Sequence, residues 1–258
     1  MKILKFTKGK TNKYTVYFDD GTNVKLYDDV IIKYNLLSHK ELDYDEFEDI
    51  VKYNDKLDSY YKALRYITRR QRTEKEVFEY LCKEFTRKTS QEAIDKLKNE
   101  GYFNKDIYLK SYLNDAITLN NIGPLKIKDN LKKLGFNEDE FKTKLDEIDN
   151  QVWLDKVEKI VSKKIKSNHN YGEYKLKEKI LYDVTNMGYP KWMIEEFINN
   201  IEVENSDSIL DKEYNKLYSK LSRKYEGYDL ETQIKLKLIA RGFGYNEVND
   251  FVQNKKNI

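Results

Sequence analysis

Cysteine is nearly missing from this chain: Cys82 stands alone in 258 residues, so no intramolecular disulfide can staple the fold. Within a helical pattern, its plain reading is a small core or near-core side chain. Prolines number two and glycines ten, too few for the turn-rich strands of a sandwich or barrel. The two histidines, His39 and His169, lie far apart, and neither has a cysteine or histidine at metal-ligand spacing. No apolar run approaches the ~18 residues of a membrane span, and the opening MKILKFTKGK has no apolar h-region of a secretory signal. A Walker loop, a GxGxxG after a strand, a GxSxG and a CxxC pair are all missing. Carboxylates are plentiful, but 45 acidic residues are expected to solvate helix surfaces. No catalytic constellation emerges. The expectation is a cytoplasmic, non-enzymatic protein with no cofactor, no metal site and no membrane partner.

What is present suits helices. Hydrophobic residues make up 39% and charged ones 36%, a pairing expected of an elongated array whose units each bury a modest stripe. Twenty-two tyrosines argue against disorder. Net charge is only +3, and of 48 basic residues seven are arginine. Abundant Lys, Asn, Ile and Tyr read as a codon bias, so a lysine carries little information. Four of the seven arginines, Arg65, Arg69, Arg70 and Arg72, fall within eight residues.

Residues 1–58 read as a small antiparallel β/α domain. Tyr14, Val16 and Phe18 alternate with Thr15, Tyr17 and Asp19; Asp20-Gly21 follows, then Asn23 to Tyr27, a hairpin signal. Met1 to Thr7 alternates and adds a third strand. Asp28 to Leu36 and Asp43 to Tyr53 read as two short helices opened by acidic residues.

From residue 59 the chain repeats itself. Aligned on Gly135, Gly188 and Gly242, apolar residues recur eight before (Ile127, Ile180, Ile234) and four before (Leu131, Val184, Leu238). They recur again one after (Phe136, Tyr189, Phe243), six after (Phe141, Ile194, Val248) and ten after (Leu145, Ile198, Val252). Spacings of four are successive turns of one helix face, and each glycine is then the left-handed residue that ends a helix. Upstream helices lead with Tyr60-Leu64-Ile67, Tyr112-Ala116-Leu119, Trp153-Val157-Ile160 and Tyr214-Tyr218-Leu221. The first unit lacks the corner glycine: Val77, Leu81 and Phe85 mark its middle helix, and a bridge from Thr86 to Ser90 follows. Four three-helix units are expected, at 59–104, 105–150, 151–203 and 207–258, with polar connections at Lys166–Glu173 and Glu202–Lys212. Capping boxes are read at Thr73/Glu76 and Thr89/Glu92.

The stretch from Lys62 to Lys75 holds six basic residues and one acidic one, net +5. On a helix ending near Arg70, Arg65 and Arg69 share a face, while Arg70 and Arg72 occupy the corner before the next helix. Arginine forks suit phosphates and carboxylates. An internal alternative stays open, in which one or two of them pair with acids in a neighbouring unit and hold the array together.

The run ALRYITRRQRTEKEVFEYL (Ala63 to Leu81) resembles the first repeat of the RecX family, bacterial regulators of the RecA recombinase, with Thr73 where serine is usual. IGPLKIKDNLKKLGF (Ile122 to Phe136) is similar to a second family segment. The hairpin and His39 to Leu42 resemble the long form of low-G+C Gram-positive bacteria. In Phe103-Asn104-Lys105-Asp106-Ile107-Tyr108, only Asp106 remains of an acidic pair usual in the family. The resemblance implies a monomeric modulator, usually an inhibitor, lying in the groove of the RecA–DNA filament, with single- or double-stranded DNA contacted weakly or within that filament. Polar contacts are expected from Arg65, Arg69, Arg70, Arg72 and Lys75, then Lys126, Lys128, Lys132 and Lys133, then Lys175, Lys177 and Lys179. Two other readings stand beside it: a direct DNA-binding protein, against which the near-neutral charge counts, and a scaffold solenoid for another protein.

Overall fold

The structure, a computed structural model, describes residues 1–9, 11–199 and 206–256. It opens with an antiparallel sheet of order β1-β2-β3: β1 (Ile3–Lys8), β2 (Lys13–Phe18) and β3 (Asn23–Tyr27). Val16 pairs with Phe6 on one side and Val24 on the other, and the alternation drives Val16, Phe18 and Leu26 into the core. Asp20-Gly21 makes the expected turn, with Gly21 at φ 86. Helix α1 (Asp28–Lys33) follows.

The two helices expected at 43–53 and from Tyr60 are one: α2 (Tyr44–Ile67) runs for 24 residues, capped by an Asp43/Glu46 box, and crosses the 58/59 boundary. Its polar middle is not a break. Asn54 is buried there, its Oδ1 accepting the Tyr27 N–H at 3.1 Å and its Nδ2 donating to the Lys25 carbonyl at 3.2 Å. One side chain thus satisfies the β3 edge that the helix covers. Nor does α2 reach Arg70. It ends at Ile67 with Thr68 as C-cap, so Arg69 lies in the turn rather than one helical turn beyond Arg65.

The rest is helical and falls into threes. The C-terminal part of α2 goes with α3 (Glu74–Leu81) and α4 (Arg87–Asn99). Then come α5 (Lys105–Thr118), α6 (Pro124–Lys133) and α7 (Glu138–Asp146); α8 (Asn150–Lys166), α9 (Glu173–Asn186) and α10 (Lys191–Ile198); and α11 (Ser206–Leu221), α12 (Gly227–Ala240) and α13 (Tyr245–Lys256). By compactness the chain divides into Met1–Ser111 and Tyr112–Ile258, the division falling inside α5. Each of the five aligned apolar positions is buried in all three glycine-cornered repeats.

The corners follow from backbone chemistry. Gly135, Gly188 and Gly242 sit at φ 93, 92 and 90, a region that penalises any side chain. At each, two N–H groups fold back onto the helix: Gly135 to the Lys132 carbonyl and Phe136 to the Leu131 carbonyl, with the same pair at Gly188/Tyr189 and Gly242/Phe243. This Schellman arrangement satisfies the last carbonyls and tucks the following aromatic under the helix.

Five expectations about the helices are corrected. Thr73/Glu76 is a capping box, but α4 begins earlier than Thr89/Glu92 implies, with Thr86 capping through the Thr89 N–H, so the Thr86–Ser90 bridge is mostly helix. Phe85 lies beyond α3, packed half-buried against the first repeat's core. Leu119 falls past the end of α5 and is exposed, and Tyr218 faces outward from α11. In the connection expected at Glu202–Lys212, Ser206 onward is already α11, while Glu202–Asn205 lie outside the described residues. Lys166–Glu173 is a connection as expected.

Candidate functional site

The arginine corner is built around a carboxylate. Glu76, the third residue of α3, accepts the Thr73 N–H at 2.9 Å through Oε2 while Thr73 Oγ1 accepts its own N–H at 3.2 Å. Its Oε1 meets Arg72 Nη1 at 3.1 Å and Arg70 Nη2 at 3.2 Å, and the Tyr108 hydroxyl lies 3.5 Å from Oε2. Arg72 also lies over the Tyr66 ring, 4.2 Å from its centroid, and Tyr66 stacks on Tyr80 at 4.0 Å. A half-buried guanidinium over one ring contributes about 1 kcal/mol of cation–π attraction. Arg72 is a structural residue of the first repeat, but its acid, Glu76, belongs to that same repeat rather than to a neighbouring unit.

The other four basic residues here differ. Arg70 keeps a largely exposed side chain, so its pairing is weak. Arg69 and Lys75 are exposed and have no hydrogen bond or ion pair among the described residues. Arg65 looks the opposite way, toward Tyr27. Burial pushes the Tyr27 phenol well above its usual range, the Asp58 carboxylate 2.8 Å away adds to this, and Arg65 opposes it.

The lysines of the second and third repeats are only partly available. On α6, Lys132 pairs with Glu138 at 2.8 Å; the hydrogen bond raises the ammonium's pKa and lowers the carboxyl's. Lys128 and Lys133 have no ion-pair partner among the described residues. On α9, Lys175 meets Glu178 and Lys177 meets Glu173, both at 2.6 Å, while Lys179 sits over the Tyr171 ring at 5.5 Å.

Lys126 and Lys175 have a second role that sequence reading missed. Gly123 caps α6 and Gly172 caps α9. The Gly123 N–H donates to the Met187 carbonyl at 2.8 Å and the Leu125 N–H to Gly188 at 3.0 Å. One repeat on, the Gly172 N–H donates to Arg241 at 3.0 Å and the Tyr174 N–H to Gly242 at 3.1 Å. The starts of these two middle helices, α6 and α9, thus plug their orphan donors into the next repeat's glycine corner. A Cβ on Gly123 or Gly172 would fall 2.4 Å from the carbonyl oxygen of Gly188 or Gly242. Lys126 and Lys175 occupy the same place in the two joints, their Cβ atoms against Gly188 and Gly242. The signal was a second short motif, Gly-x-Leu/Tyr-Lys at 123–126 and 172–175. It stands twelve residues before one corner and sixteen before the other, because α9 is one turn longer than α6. Behind the second joint, the guanidinium of Arg241 pairs with the buried Glu213 of α11.

Among the described residues no cluster of three or more His, Cys, Asp or Glu could hold a metal, and no helix is long and apolar enough to cross a membrane.

A small N-terminal sheet, four helix triplets and corner-to-helix backbone joints define a tandem three-helix-repeat protein. Residues 60–97 match the model of the RecX first three-helix domain. The regulatory protein RecX of Streptococcus agalactiae is 30% identical over 254 residues, covering 96% of this chain and 97% of that one. Those of Staphylococcus carnosus and Streptococcus gordonii are 28% and 26% identical over 96% and 98% of this chain and 96% and 99% of theirs. A crystal structure of a regulatory protein RecX shares the fold at a TM-score of 0.55 and 22% identity, covering 78% of this chain and all of that one. The chain belongs to the RecX family of regulatory proteins.

Proposed function

We propose that this chain regulates the RecA recombinase, as an inhibitor, by binding in the groove of the RecA–DNA filament and so altering its assembly, ATP hydrolysis and strand exchange. The observation that carries this reading is the RecX match, which runs through sheet and repeats alike over nearly the whole chain. The working units are the segments 1–58, 59–104, 105–150, 151–203 and 207–258, the first two sharing helix α2 across their boundary, acting as a cytoplasmic monomer with no catalytic step of its own. Tandem repeats suit a long partner, since each adds contact surface along one direction. Of the residues expected to make polar contacts, Arg69, Arg70 and Lys75 remain available in the first repeat, and Lys128, Lys133 and Lys179 in the next two. Arg72, Lys126 and Lys175 act mainly by holding the fold.

The test is RecA on single-stranded DNA with ATP, followed by ATP hydrolysis and strand exchange. Inhibition is expected at substoichiometric amounts of this chain, weakened when Arg69, Arg70 and Lys75 are all replaced by alanine. No effect of the native chain at stoichiometric ratios would sink the reading.

A further inference from the structure

The outward face of α9 carries a groove of about 470 Å³ lined by Tyr171, Lys175, Lys179, Tyr182 and Lys191, with Glu178 its one carboxylate. That carboxylate is already engaged by Lys175. Lys191 has no partner among the described residues, and Lys179 has only the Tyr171 ring. Two cations therefore face a hollow that offers them no counter-charge.

Exposed rings stand in this groove and near it in sequence, Tyr182 lining it. Tyr182 is 69% exposed and Tyr174, two turns earlier, 71%, which puts them about 12 Å apart along the helix. Trp192, beside Lys191, is 52% exposed. None of the three meets another ring or a cation among the described residues. An idle ring face in one groove with ammonium groups that lack an acidic partner fits one chemistry well: unstacked bases on a phosphate backbone. A duplex hides its base faces, and an acidic peptide would use the lysines but not the rings.

We propose that this groove on the third repeat is a docking path for single-stranded nucleic acid, with Tyr182 stacking a base and Lys179 and Lys191 meeting flanking phosphates. It deepens the reading above by naming a nucleic-acid contact, and it is tested without the recombinase so that the two can fail separately.

The full chain is titrated into 5′-fluorescein-labelled dT20 and anisotropy is followed across a salt series. Tyr182→Ala, on an exposed side chain, weakens binding about tenfold and leaves the salt slope unchanged. Replacing Lys179 and Lys191 by alanine shallows the slope by about 1.4. Tyr44→Ala, exposed on α2, leaves the affinity unaltered. Unlabelled duplex and poly-glutamate compete at least about tenfold more weakly than unlabelled dT20. Native affinity in Tyr182→Ala with an unchanged circular dichroism spectrum overturns the proposal, as does equal competition by duplex or poly-glutamate. A chain that binds the strand but leaves RecA untouched upholds the groove and sinks the regulatory reading; one that inhibits RecA without binding the strand does the reverse.

Discussion

Two buried or half-buried polar side chains are the most informative single residues. Glu76 holds together the α3 cap, Arg70 and Arg72, so its removal costs more than a surface charge would. Glu76→Ala is expected to lower stability by about 2 kcal/mol, a lost cap plus an unpaired half-buried guanidinium. Glu76→Gln keeps an acceptor for the Thr73 N–H and should recover about half of that, as read from urea unfolding of both variants. Tyr189 is the opposite case. Its ring fills the corner after Gly188, fully buried, and its hydroxyl has no partner among the described residues. Burial pushes its pKa up to about 12, above the ~10 of an unfolded tyrosine. The folded state therefore holds the proton more tightly, and the stability this contributes is complete below pH ~10 and lost as pH rises through 12. Tyr189→Phe should be about 1 kcal/mol more stable at neutral pH, through loss of an unsatisfied hydroxyl, and should flatten the alkaline decline. A destabilised Phe variant would mean the hydroxyl finds a bond after all.

Elements differ in how far local chemistry betrays them. The glycine corners were legible because a positive φ followed by a buried aromatic leaves a fixed mark, and all five aligned positions fall inside. Helix ends were less so. Thr86 and Thr89 are both sound caps, and the choice depends on where Ser90 and Ala93 pack, which is tertiary information. The continuity of α2 was hidden for the same reason: Asn54 looks like a loop residue until the β3 edge it serves is in place. The joints were invisible for a third reason, since a cap glycine chosen for close backbone approach looks like any other cap. At the candidate site, the arginine cluster was plain, but Arg72 and Arg69 differ only through Tyr66 and Glu76, side chains that local spacing cannot orient. The joints yield a paired prediction. Gly172→Ala forces a Cβ against the Gly242 carbonyl and should cost about 3 kcal/mol. Gly101→Ala has the positive φ but nothing within 4 Å among the described residues, so only backbone strain of about 1 kcal/mol is expected. Equal losses in thermal unfolding would show that the joint carries no energy of its own.

Across the whole molecule, stability should be distributed by these joints. In a tandem array each repeat is held by its own core plus its interfaces, so damage at one interface spreads to both neighbours. The third repeat is joined twice within Tyr112–Ile258, as donor through Gly172 and as acceptor through Gly188. The segment Met1–Ser111 instead contains two cores of its own, one around Val16, Leu26 and Ile50 and one around Ala63, Val77 and Leu97, linked by the single helix α2. Gly188→Ala combines a disfavoured φ with a Cβ 2.4 Å from that of Lys126. Native-state hydrogen exchange of this variant should show amides of α6, α9 and α10 losing protection together, by roughly the global loss in stability, because opening the joint exposes both sides. Amides of α2 and α3, whose protection comes from the N-terminal cores, should keep native rates. Loss of protection confined to the Gly188 turn would mean the repeats open independently, and loss reaching α3 would mean the chain unfolds as one cooperative body.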